Sequence, residues 1–267
     1  MFQLRLFTAL ALIAAFLGAL FMVPEPYWSL LMLAIVCAGA WEWSVITGHA
    51  LPARRAYLAI ILLSGILLLP GMWSGTVEVW QQQFHLWVLL VPSWLFTRSK
   101  PTNAIILAIT GWLVLVPAWL GLVSLRRANP LLVLGVMATV WIADTAAYLA
   151  GKCFGRHKLA PHISPGKTWE GVAGAMVAVT LYGVTLGQVF DLGLWILPGL
   201  WGLAAWSIVG DLFESGIKRQ AGLKDSGSLL PGHGGVLDRI DGLTSTLPLA
   251  ALAYAYFPYC FAVSGDG

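Results

Sequence analysis

Residues 194–242 read LWILPGLWGLAAWSIVGDLFESGIKRQAGLKDSGSLLPGHGGVLDRIDG, and the way this stretch changes character decides the fold. An apolar run ends at Val209, and Asp211 opens a charged segment carrying six glycines (Gly216, Gly222, Gly227, Gly232, Gly234, Gly235). Apolar sequence resumes at Leu243 and continues to about residue 262. A charged loop between two such runs is the pattern of helices that leave a bilayer and re-enter it.

Working outward, the whole chain shares that background. Of 267 residues, 59% are hydrophobic and only 10% are charged, with a mean hydropathy of +0.81. A water-soluble domain carries about 25% charged residues, so lipid must solvate much of this chain. Apolar stretches near 5–23, 27–47, 57–72, 84–97, 104–124, 130–150, 170–190, 194–213 and 243–262 predict spans, each needing roughly 20 apolar residues. The expected fold is therefore all-α: a polytopic integral membrane helical bundle of about nine transmembrane helices. The third and fourth stretches are short, and Pro117 would kink the fifth or split it into a hairpin. Residues 1–125 read as N-terminal transmembrane helices and 126–267 as a C-terminal transmembrane catalytic region of one integral membrane domain. The first stretch reads as an uncleaved span, because no small-x-small cleavage site precedes Pro24.

Basic residues in short loops set the orientation. With Arg5 inside, Arg54, Arg55, Arg98, Lys100 and the loops 151–169 and 214–242 also fall inside, and the active site faces the cytoplasm. Arg126 and Arg127 disagree. Either they lie outside, or the Pro117 segment is re-entrant. Trp28, Trp43, Trp73, Trp94 and Trp195 sit near the ends of apolar runs, as interfacial anchors do. Cys37, Cys153 and Cys260 lie far apart and imply no disulfide framework; Cys37 and Cys260 read as small buried thiols. The net charge of +3 gives no sign of a nucleic-acid partner.

Against this background, loops 151–169 and 211–242 hold eight of the 15 basic residues. Ionisable groups beside or inside spans are costly and mark functional sites. Asp211 ends an apolar helix, and Ser215 lies four residues on, on the same helical face. Asp238 and Asp241 are three apart and share a face if helical. Any one of these acids alone would read as a partner for Lys218, Arg219 or Arg239. As a set at two helix ends, they form an all-oxygen group suited to a hard cation such as Mg²⁺. The glycines between them let backbone N–H groups approach a phosphate, most tightly at Pro231–Gly235. His233 reads equally as a general acid or base and as a turn-stabilising group. In the other loop, Lys152, Arg156, Lys158 and Lys167 gather positive charge, and Ser164–Thr168 lead into a helix N-terminus, where N–H donors favour an anion. The GxxxxGK[ST] spacing is absent. Glu170 reads as a partner for Lys167, and Asp144 as a further metal or substrate contact. The chemistry that results is metal-assisted phosphoryl or nucleotidyl transfer to a lipid-borne acceptor. A transporter would carry ionisable residues near the middle of several spans. Here Glu42, near a span end, is the main exception.

Ser215, Ile217-Lys218-Arg219, Lys224-Asp225, Gly227, Leu230-Pro231, His233-Gly234-Gly235 and Asp238-Arg239-Ile240-Asp241 resemble, end to end, the signature of the CDP-diacylglycerol synthases (phosphatidate cytidylyltransferases). Asp144, Gly151-Lys152, Phe154-Gly155, Lys158-Leu159, Pro161 and the stretch Ser164–Gly171 are similar to that family's second conserved region. The resemblance implies transfer of CMP from CTP to phosphatidic acid in phospholipid synthesis, giving CDP-diacylglycerol and pyrophosphate. It implies Mg²⁺ and allows a monovalent ion such as K⁺ at the same centre. Carried onto this chain, Asp211, Ser215, Asp238 and Asp241 would be ion ligands, with Asp144 beside them. Lys218, Arg219, Lys224, His233 and Arg239 would contact nucleotide phosphates or the phosphatidate head group. Ser164, Lys167, Thr168, Gly234 and Gly235 would sit near the nucleotide. The resemblance also implies a multi-pass protein of the inner, cytoplasmic membrane, with membrane lipids and a homodimer partner as expectations. A CTP-dependent lipid kinase, or a cytidylyltransferase with another lipid acceptor, would use a similar site and differ in product.

Overall fold

The structure is a computed structural model, and it describes residues 2–69, 84–96, 103–229 and 234–257. Expectations that fall on Trp73, Arg98, Lys100, Pro231, Gly232, His233 and Cys260 lie outside those residues.

The helices, in chain order, are α1 (Phe2–Met22), α2 (Glu25–Ile46), α3 (Leu51–Leu67), α4 (Val91–Phe96, led in by a π-helical turn at Leu86–Leu90), α5 (Ala104–Ala128) and α6 (Pro130–Phe154). A hairpin of β1 (Lys158–Ala160) and β2 (Ser164–Thr168) follows, then α7 (Trp169–Val189), α8 (Leu197–Gln220, after a 3₁₀ turn at Leu194–Ile196) and α9 (Leu237–Tyr256). Among the described residues, five segments are long and apolar enough to cross a membrane: α2, α5, α6, α7 and the run Leu194–Gln220 containing α8. Helix also occupies described parts of the other four expected stretches, in α1, α3, α4 and α9.

Local sequence explains the boundaries. Asn103 caps α5 by accepting from the N–H groups of Ile105 and Ile106. Asn129 caps α6 ahead of Pro130, whose missing N–H costs nothing in a first turn. Thr168 ends β2 and caps α7.

At the centre, α9 packs against both α5 and α8. Two glycines permit that approach. A Cβ on Gly121 would lie 2.8 Å from the Leu247 carbonyl oxygen, and one on Gly210 would lie 2.7 Å from that of Asp241. The main buried cluster runs from Leu20 to Ala251 through Trp28, Trp43, Trp87, Trp119 and Phe213.

Three expectations change here. Pro117 neither splits α5 nor ends it; the helix is continuous from Ala104 to Ala128. A proline inside a helix frees a carbonyl, but neighbouring helices can re-satisfy such groups, and this segment is buried against α2 and α9. Arg126 is not a stray charge. Its guanidinium donates to Glu25 at 3.0 Å, to the Leu20 carbonyl at 2.9 Å and to the Val23 carbonyl, and it lies 4.8 Å from the centre of the Trp28 ring. Arg127 pairs with the same Glu25. Both arginines therefore sit at the α1–α2 turn, so α5 crosses the bundle rather than turning back. Third, Trp28 and Trp43 are wholly buried rather than interfacial, with the Trp43 indole N–H donating to the Leu107 carbonyl. Trp195 is exposed, as an anchor would be. Cys37 is half-buried, and neither it nor Cys153 is bridged.

Candidate active site

Asp211 lies two and a half turns before the end of α8, where the helix becomes polar. Its carboxylate accepts from the Ser215 hydroxyl at 3.1 Å, which confirms that the two share a face. The other oxygen meets the Lys167 ammonium at 2.7 Å. Lys167 comes from β2, so this ion pair pins the hairpin onto α8. Two turns beyond Asp211 on α8, Lys218 is buried, and its ammonium sits between Glu214 at 3.0 Å and Asp238 at 2.6 Å. Asp238 opens α9, so Lys218 joins the two helix ends.

Asp238 has more partners. The N–H groups of Ser226 and Gly235 each donate to it at 2.9 Å. Burial alone would raise this carboxyl; the Lys218 ammonium and the two N–H groups outweigh it and hold Asp238 below its ordinary value. Asp241, one turn on and ahead of the apolar stretch that starts at Leu243, behaves oppositely. Burial, then the like charges of Asp211 and Glu214, push it well above the ordinary carboxylate range. Asp144, exposed on α6, is within electrostatic reach of Asp211 and Lys167.

The loop between α8 and α9 is organised by a residue from far away. Glu42, on α2 and only 5% exposed, accepts from the Ser226 hydroxyl at 2.8 Å and from the N–H groups of Val236 and Leu237 at 2.9 Å each. These are the free donors at the start of α9, so Glu42 caps that helix. The glycines serve this contact. A Cβ on Gly227 would lie 2.8 Å from a Glu42 oxygen, and one on Gly235 would overlap Glu42 and Ser226. Gly234 has φ +81°, a left-handed conformation that glycine adopts freely.

The expected site residues therefore divide. Asp211, Ser215, Lys167, Lys218, Asp238 and Asp241 come together at one end of the bundle, with Asp144 at its edge. Arg219 is exposed and donates to the carbonyls of Ile163 and Leu223, which ties the α8–α9 loop to the hairpin. Lys224 and Arg239 are exposed at the same polar end, and Ser164 lies in β2. Several residues do something other than expected. Gly235 was expected to offer its N–H to a phosphate, but Asp238 accepts it. Thr168 is buried, and its hydroxyl accepts from the Gly171 N–H at 3.1 Å, a capping role. Glu170 pairs with His157 at 2.6 Å instead of with Lys167, which is taken by Asp211. Glu214 and Glu42 were missed. The Glu214–Lys218 spacing of four was a usable signal; Glu42 had none beyond being an acid in an apolar run.

Among the described residues, no three His, Cys, Asp or Glu side chains are arranged ready to hold a metal ion. The donor chemistry nevertheless fits a hard cation. Asp144, Asp211, Glu214, Asp238 and Asp241 set five carboxylates against two ammonium groups, Lys167 and Lys218, and Asp241 is raised first by burial and then by Asp211 and Glu214.

The class that emerges is a helical membrane protein with a cluster of acids and lysines where two helices leave the apolar layer. The sequence pattern of the Cytidylyltransferase family matches residues 3–257, and the chain belongs to that family. Among its relatives is a Pseudomonas aeruginosa protein named phosphatidate cytidylyltransferase, 42% identical over 96% of this chain and 98% of the relative. A Haemophilus influenzae protein of that name is 34% identical over 96% of this chain and 99% of its own length. A third, from Brucella melitensis, is 37% identical over 81% of this chain and 73% of its own.

Proposed function

We propose that this chain is a phosphatidate cytidylyltransferase, moving CMP from CTP to phosphatidic acid and releasing pyrophosphate. Family membership and the relatives' names support the reaction. The observation that carries the site is the surplus of carboxylates around Asp211 and Asp241, beside two lysines, at the polar end of an apolar bundle.

A phosphate oxygen of phosphatidic acid attacks the α-phosphorus of CTP, and the bond to the β-phosphate oxygen breaks, so pyrophosphate leaves. A phosphate monoester is largely ionised at pH 7, so the attacking oxygen needs no base from the protein. Asp211, Ser215, Asp238 and Asp241 would hold Mg²⁺, with Asp144 beside them and a monovalent ion such as K⁺ as a second occupant. Bound there, the cation would neutralise charge on the transferring and leaving oxygens. Lys218 keeps Asp238 ionised and fixed in direction, as an outer partner does for a ligating carboxylate. Lys167, Arg219, Lys224, His233 and Arg239 supply positive charge for the triphosphate and the lipid head group. Ser164, Gly234 and Gly235 complete the nucleotide side of the reading, and Thr168 contributes by fixing the start of α7. The basic-residue distribution supports a cytoplasmic active site in a multi-pass inner-membrane protein.

The test is to supply purified protein with CTP, phosphatidic acid and Mg²⁺. CDP-diacylglycerol and pyrophosphate are expected in equal amounts. Their absence, where a control enzyme works, would sink the reading; CDP with a phosphorylated alcohol from an alcohol-bearing lipid would favour the kinase.

A further inference from the structure

Glu42 lies outside both charged loops, on a helix the reaction does not otherwise use, yet both of its carboxylate oxygens are engaged. It is buried, and its two oxygens accept three hydrogen bonds. The three donors come from both arms of the glycine loop: Ser226 on the α8 side, Val236 and Leu237 at the start of α9. Ser226 is also the residue whose N–H donates to Asp238, and Gly235, whose N–H does the same, precedes Val236. Holding these three residues, and Gly235 between them, sets where Asp238 points, and it sets the axial position of the first turn of α9, which carries Asp241. Two glycines give up their side chains to allow it, since a Cβ on Gly227 or Gly235 would strike Glu42. A helix start in a bilayer protein could be capped by its own residue; here the chain buries a charge from another helix to do so, and burial of that kind is costly.

We propose that Glu42 is a positioning residue for the cation site: it clamps the α8–α9 loop so that Asp238 and Asp241 present their oxygens together with Asp211. This rests on the ion reading given above. Glu42→Gln keeps the shape but fails the contact. With its amide oxygen facing Ser226 and Leu237, the amide NH₂ is left against the Val236 N–H, donor to donor.

The experiment is a Mg²⁺ titration of purified wild type, Glu42→Gln and Ser226→Ala, read by thermal shift without substrate and then by turnover. In Glu42→Gln, the Mg²⁺ concentration that half-stabilises the protein and the one that half-saturates turnover should both rise about tenfold or more. KM for phosphatidic acid at saturating Mg²⁺ should stay as in wild type. Ser226→Ala, which removes one contact and leaves the carboxylate its two N–H donors, should shift both midpoints the same way by a smaller factor, and it decides the matter if Glu42→Gln does not fold. A lower melting temperature with wild-type Mg²⁺ midpoints in the variants would make Glu42 a structural prop and overturn the proposal. No Mg²⁺ response in wild type would overturn it together with the ion reading. A Mg²⁺ response that shifts as expected in protein that makes no CDP-lipid would support the clamp and sink only the substrate assignment.

Discussion

Asp241 and Glu42 show how differently two acids in one chain can be used. Asp241 is disfavoured as a bare anion first by burial and then by Asp211 and Glu214, with few compensating donors, so it is poised to take a cation. Glu42 has its full complement of donors and is poised to take nothing. Asp241→Asn should therefore abolish metal-dependent turnover, by more than the roughly 10–100-fold typical of an outer partner. It should not lower the melting temperature of metal-free protein, because a neutral amide suits a buried position that already disfavours the anion. Retained turnover would remove Asp241 from the ligand set. Spacing made Asp211, Ser215, Asp238 and Asp241 legible in the sequence, since residues three or four apart on a helix share a face. Glu42 was not legible as a partner, because the hydroxyl it holds is 184 residues away. Glycines were legible as a place of close approach, but sequence could not say to what; at Gly235 the close neighbours are Glu42 and Ser226, with Asp238 taking its N–H.

At the scale of elements, the site depends on how closely α8 and α9 run together. Gly210 meets the Asp241 carbonyl and Ser245, and Ser245 in turn donates to the Trp206 carbonyl at 2.8 Å, so the contact has no slack. Gly210→Val should separate the helices just where Asp211 and Asp241 face each other. The expected result is a loss of about 1–3 kcal/mol in stability, as for overpacking elsewhere, with a disproportionate fall in turnover; a variant as active and stable as wild type would show that the pair tolerates a wider spacing. Hydrophobic runs made the helices legible. The β1–β2 hairpin was read only as a basic loop, because its five-residue strand, Ser164-Pro-Gly-Lys-Thr168, carries turn residues in place of β-formers and is held by the Lys167–Asp211 ion pair. The continuity of α5 through Pro117 was illegible for a related reason: local rules favour a break, and packing against α2 and α9 decides otherwise.

Across the whole molecule, charge is divided between two ends. The site end holds Asp211, Glu214, Lys218, Asp238 and the hairpin; the other end holds the cluster of Arg126, Arg127 and Glu25. That division accounts for the two arginines that broke the basic-loop pattern: both pair with Glu25, and Arg126 also caps carbonyls at the end of α1. It also makes the orientation testable. In a cysteine-free background, Arg127→Cys should react with a membrane-impermeant thiol reagent in right-side-out vesicles. Lys158→Cys should react only in inverted or permeabilised ones. The reverse pattern would place the site on the outer face.

Whether this site transfers a nucleotidyl group is decided by the fate of the phosphorus atoms of CTP. Purified protein is given phosphatidic acid, Mg²⁺ and CTP labelled in separate reactions at the α- or the γ-phosphorus. The α-label should enter the lipid product, the γ-label should leave as pyrophosphate, and both outcomes should be lost in Asp241→Asn. Label from the γ-phosphorus in the lipid, with CDP released, would contradict nucleotidyl transfer.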